Sequence, residues 1–136
     1  YVLTFDDYKG RRSFADEVLR SCQMVDIHPS EAEMPEAIRN RREPTERYHY
    51  EKGESHGVPY RCLTPTGLRN VLVAGRCIST DRMVQGSIRT MPVCLCMGEA
   101  AGIAGAMASA ESVDVHSLDT DELRKRLKSH GAYLPE

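Results

Sequence analysis

The residues best suited to chemistry lie between Arg76 and Thr90. Arg76, Arg82 and Arg89 bring three fixed charges, and Ser79, Thr80, Gln85, Ser87 and Thr90 bring neutral hydrogen-bonding groups. Such a set binds and polarises electron-rich oxygens. It does not remove protons, because arginine keeps its own. Tyr60 beside Arg61 joins a hydroxyl to forked donors that can hold a carboxylate or carbonyl oxygen, though a strand with one packed face accounts for the same pair. His28 ends the apolar run Met24–Ile27, where the plain reading is a solvated or hydrogen-bonded ring. No Asp, Glu or His cluster with ligand spacing accompanies these residues, and Cys94-x-Cys96 has no second pair, so no metal or iron–sulfur site is expected. Cys94 and Cys96 fall on different faces of a helix, which argues against a disulfide between them.

The elements that position this stretch are legible on both sides of it. Val71, Leu72, Val73 and Ala74 predict a buried strand covered on both faces, ending at Gly75, where the backbone can turn and be approached closely. The stretch 76–90 itself reads as a loop. Pro92 fits the first turn of a helix over Met91–Ala110, in which Glu99 is the one ionisable residue. Gly98, Gly102 and Ala106 are four apart, as are Ala101, Gly105 and Ser109, giving two nearly bare stripes suited to close contact with backbone or a flat ligand. A membrane span would match the length and the GxxxG spacing. Against it stand Glu99, at a mid-bilayer cost of about 2.5–3.5 kcal/mol for a comparable charge, the weight of Ala and Gly, and flanks without a basic cluster. A helix buried in a soluble protein is the expectation.

Upstream, Tyr1–Thr4 is β-prone and Asp6 and Asp7 can cap a helix. Phe14, Val18, Leu19 and Cys22 recur at helical spacing behind Ser13 and Asp16, which predicts a helix over 13–22, followed by a strand over Met24–Ile27 that stops before Pro29. From 30 to 47 arginines and glutamates interleave, as on a solvated surface. Tyr48–Glu51 and Val58–Leu63 read as strands joined through Gly53 and Gly57. Asp119 and Glu122 start a final helix that buries Leu123 and Leu127 and ends by Gly131.

At 136 residues the chain can build one core. Eighteen Lys and Arg against twenty Asp and Glu, a net charge of -2, give no basic face for a nucleic-acid partner. Five cysteines fall short of a disulfide scaffold and point to a reduced, cytoplasmic setting. No GxGxxG turn occurs, so the chain should hold at most one wall of a dinucleotide site. It opens on Tyr1 without a signal segment and reads as a piece of a longer polypeptide.

The runs LVAGRCIST, GSIRTMPVC and MGEAAGIAGAMA, preceded by HGVPYRCL and further upstream by YVLTFDDY and VDIH, carry a family resemblance. Together they resemble the C-terminal part of FAD-dependent oxidoreductases related to the fumarate reductase and heterodisulfide reductase flavoproteins. The resemblance implies an α/β fold, as the C-terminal fragment of a two-domain FAD/NAD(P)-binding-type flavoprotein whose GxGxxG unit lies outside it. Residues 1–66 would belong to the substrate or cap domain, 67–112 to the last strand, loop and helix of the FAD domain, and 113–136 to a terminal helix. It implies that Gly75, Arg76, Ser87, Ile88, Met91, Pro92 and Val93 line the isoalloxazine end of FAD. Arg89, Tyr60 and His28 would surround a small organic substrate in hydride transfer, with His28 as proton donor or carbonyl-polarising group. The positive end of the 91–110 helix would stabilise charge that builds on the flavin. The remaining partner would be the rest of the chain, with its N-terminal FAD domain. Two positions depart from the pattern: Arg82 stands where relatives often have His, and His56 where Tyr is commoner. The rival reading is a non-catalytic α/β module that uses helix 91–110 as an interface. An excised piece would in either case expose apolar surface and self-associate.

Overall fold

The computed structural model describes residues 1–27 and 48–135. His28 and the charged stretch 30–47 therefore lie outside the described residues, whereas Met24–Ile27 is described and forms no strand: Val25 N donates to the Tyr48 carbonyl at 3.3 Å and Asp26 N to the Gly86 carbonyl at 3.4 Å, so its backbone is taken up by a loop and a helix and not by a ladder. Leu3 lies alongside Thr80 as a parallel bridge, its N–H donating to the Ser79 carbonyl at 3.0 Å and its carbonyl accepting from Asp81 N at 2.9 Å. Thr4 then caps helix α1, Phe5–Lys9, in a capping box completed by Asp7. Asp81 serves two helix starts: one oxygen accepts from Phe5 N at 2.6 Å, the other from Val84 N at 2.8 Å.

Two strands pair antiparallel: β1, Glu17–Ser21, and β2, His56–Pro59, with Arg20 opposite Gly57 and Ser21 opposite His56. The helix expected over 13–22 is thus a strand. Its adjacent Val18 and Leu19 are both buried, a pattern that a two-sided sheet satisfies, and the ladder to β2 decides the backbone. The expected strand at Val58–Leu63 is likewise short. Pro59 has no N–H to continue the ladder, and Tyr60–Cys62 turns as a 3-10 helix. Tyr48–Glu51 forms no strand. Instead the Tyr48 carbonyl accepts from Val25 N and from the Tyr8 hydroxyl.

Val71–Ala74 is extended but pairs with no strand among the described residues, and Val71 is exposed, so the strand expected to be covered on both faces is open on one side. Val73 N donates to Leu63 O at 2.8 Å, which fixes only one edge. A 3-10 turn, Gly75–Cys77, follows, and then helix α2, Arg82–Ile88, where a loop was expected. The Asp81 cap, acting across the chain on α1 as well, makes that helix.

Helix α3, Met91–Glu111, runs as its composition predicts, with Pro92 in the first turn. It is long and apolar enough to cross a membrane by length and composition alone. Val93, Met97, Ala100, Ala104, Met107 and Ala108 are buried, and the helix packs on β1 and on α4, Thr120–Ser129. Its other face is open: Met91 and Leu95 are each 74% exposed, and a side chain at Gly98, Gly102 or Gly105 would meet nothing within 4 Å. Asp119 caps α4, and Leu123 and Leu127 close the core. The described residues form a mixed α/β arrangement around one continuous apolar cluster from Leu3 to Leu134.

Candidate functional site

Three local decisions of the chain meet where α2 gives way to α3. Gly75 takes φ +80, a backbone state that side chains rarely adopt, and brings its Cα against the first turn of α3, within reach of Cys94. Arg76 Nε donates to the Arg89 carbonyl at 3.2 Å, and Gln85 Nε2 donates to the Arg76 carbonyl at 3.0 Å. Thr80 in turn donates to Gln85 Oε1 at 2.9 Å. These bonds hold the 75–80 turn against α2 and the α2–α3 corner.

The start of α3 is electropositive and uncapped. Thr90 occupies the cap position, yet its side chain makes no capping bond, and Pro92 contributes no N–H. Thr90 Oγ1 is buried without a hydrogen-bond partner. A helix end carries partial positive charge on its free N–H groups, and an unpaired buried hydroxyl costs free energy until something meets it. Beside it Arg76 is exposed, and no carboxylate pairs with it among the described residues. The corner can therefore hold a group that carries or gains negative charge.

Arg89 leaves the end of α2 and turns its guanidinium onto Asp26. Nη2 donates to Asp26 Oδ2 at 2.8 Å and to the Asp26 carbonyl at 3.1 Å, and Nε donates to that carbonyl at 3.3 Å. Ser87 is fully buried, its hydroxyl donating to Gln23 O at 2.7 Å, and Ile88 and Val93 are core residues. Their side chains pack the interior, and only their backbone belongs to the corner. Met91 and Pro92 are exposed beside it. Tyr60 is buried, its hydroxyl donating to Val115 O at 2.9 Å and pushed up to about 12 by burial. It shares no bond with the corner, so the structure gathers Gly75, Arg76, Arg89, Met91 and Pro92 and leaves Tyr60 in the core. His28 lies outside the described residues.

Two features of the corner are not apparent from sequence. Asp26, within an apolar run, is the partner of Arg89 across 63 positions, and Gly86 makes room for it. A charge inside an apolar run is the one signal that could have pointed to Asp26. Elsewhere, a groove of about 820 Å³ runs between the 69–72 segment and the small-residue face of α3, lined by Leu72, Ala101, Gly102, Gly105 and Ala108. Among the described residues no group of three or more His, Cys, Asp or Glu could hold a metal ion.

No curated protein and no solved structure matches the chain. Residues 1–127 match the family described as FAD dependent oxidoreductase. With that match covering all but the last turn and tail, the chain belongs to the FAD dependent oxidoreductase family.

Proposed function

We propose that this chain forms one wall of a flavin site, with the Gly75–Arg76 turn and the start of α3 at the ring end of FAD. The observation that carries the reading is the uncapped start of α3 with the buried, unpartnered Thr90 Oγ1, flanked by Arg76. Free N–H groups, an orphaned hydroxyl and a guanidinium suit a flat ring whose carbonyl oxygens and nitrogens gain negative charge. The residues present therefore fit the cofactor that the family binds. Bound FAD supplies the acceptor or donor of a hydride.

The chain's own residues do the rest. Gly75, at φ +80, makes the turn that seats this segment against Cys94 and sets Arg76 at the corner. The α3 N–H groups and Arg76 hold negative charge in place before it develops, which requires no reorganisation during the reaction. Met91 and Pro92 offer apolar surface beside the ring and exclude water. Arg89 stands one residue before the α3 cap and is the candidate to hold an oxygen of a small organic substrate. A relationship to the fumarate reductase and heterodisulfide reductase flavoproteins fits the sequence runs that carry the family resemblance. The remainder of a longer polypeptide supplies the pyrophosphate-binding unit and covers the groove beside α3, so the open face of that helix needs no separate interaction role.

The test uses the full-length polypeptide. Gly75→Val places a branched side chain at φ +80 and against Cys94, which distorts the turn beside the start of α3, and should weaken FAD binding at least tenfold in a protein that still unfolds cooperatively. Arg89→Ala should retain FAD while slowing its reduction. Unchanged FAD affinity in Gly75→Val would sink the proposal.

A further inference from the structure

Arg89 is held more elaborately than a surface ion pair requires. Two of its three guanidinium nitrogens, Nε and Nη2, are engaged by Asp26, through both the carbonyl and the carboxylate. Nη1 has no partner among the described residues. Asp26 is anchored in turn, its N–H donating to the Gly86 carbonyl at 3.4 Å, while Ser87 grips Gln23. A Cβ at Gly86 would sit 2.9 Å from the Asp26 carbonyl oxygen and 2.8 Å from Ile27 Cγ1, so only glycine lets this segment seat on α2. The pair is half-exposed, with Asp26 54% and Arg89 37% accessible, and a pair in that setting contributes little to stability. What the arrangement does fix is the guanidinium, leaving Nη1 as the nitrogen available to another group.

We infer that Asp26 is a positioning residue: it holds the guanidinium of Arg89, one residue before the α3 cap, so that its free end meets negative charge on the reduced flavin at the same edge where a substrate oxygen would be held. The inference rests on the flavin site proposed above. Water screens the half-exposed carboxylate, so its influence on the site passes through the placement of Arg89 rather than through its own charge.

Position and charge predict opposite signs, and the midpoint potential of FAD bound to the full-length protein reads both. Asp26→Ala frees Arg89 and should reduce the preference for reduced over oxidised flavin about tenfold, a fall of about 30 mV for a two-electron couple. Asp26→Asn keeps an acceptor oxygen without the charge and should recover most of that fall. Arg89→Gln should lower the potential as well, and adding Asp26→Ala to it should change nothing further. A rise in potential in both Asp26 variants would mean that the bare charge is felt, and would overturn the inference. So would an equal effect of Asp26→Ala with and without Arg89, or potentials that do not move in a protein that holds FAD. A full-length protein that binds no FAD would instead remove the flavin reading, and this inference with it.

Discussion

His56 carries the clearest physical consequence of a single side chain. The ring is fully buried at the start of β2, with Nδ1 3.0 Å from the Tyr50 hydroxyl. That hydroxyl gives its proton to the Tyr8 carbonyl at 2.6 Å, so Nδ1 must be the donor and Nε2 keeps a lone pair without a partner. Burial, and next the Arg20 charge from β1, push the His56 pKa down to about 4, while Asp7 of α1 and the Ser21 backbone pull it partly back. The other groups around the ring are the phenols of Tyr8 and Tyr50. A histidine with a depressed pKa contributes its full stability above about 6.5, because only the unfolded chain takes up a proton as pH falls below that value. The loss runs from about 6.5 down to about 4 and amounts to about 2 kcal/mol at pH 5. Urea melts at pH 7 and pH 5 should show this loss in the native sequence and not in His56→Phe. Equal losses in the two proteins would contradict the assignment.

At the scale of elements, β1 and β2 are joined by a fit that leaves no slack. Glu17 is buried, accepting from Phe14 N at 3.2 Å and from Arg20 at 3.1 Å, and its carboxylate fills the space over Gly57. A Cβ at position 57 would stand 1.9 Å from Glu17 Oε2. Gly57→Ala must therefore displace a buried, paired carboxylate, and should cost about 3 kcal/mol in a thermal or denaturant melt. A cost below about 0.5 kcal/mol would show that the pair is free to move aside. The same strand shows where sequence reading fails. Phe14, Val18, Leu19 and Cys22 have helical spacing, but the backbone of 17–21 is decided by a partner nearly forty positions away. Helices α3 and α4 are legible because their signals, Pro92 in one and Asp119 in the other, act within a turn of themselves. The turn at Gly75 is legible for the same reason. The grip of Asp26 on Arg89 is not, since neither residue's neighbours in sequence announce the other.

Among the described residues, the molecule has one side finished and one side open. Val93, Met97, Ala100 and Ala104 close the core, while Leu72, Gly102 and Gly105 line an uncovered groove and Met91 and Leu95 project outward. The proposal that further polypeptide fills this groove separates two measurements on one substitution. In the 136-residue chain, Gly102→Ala meets open space and should stabilise the helix by about 0.5–1 kcal/mol. In the full-length polypeptide the added methyl meets the covering segment, and the same substitution should destabilise. Stabilisation in both would mean that the groove stays open. The strand expected at Val71–Ala74 belongs to the same account: its apolar run is legible, but its outer edge needs a neighbour that the described residues do not contain.

The most direct test of the central claim is the visible absorption of the full-length polypeptide, purified without added cofactor, with identification of what denaturation releases. The account predicts flavin absorbance and FAD near one equivalent per chain. A folded, colourless protein whose melting is unmoved by titration with FAD would contradict it.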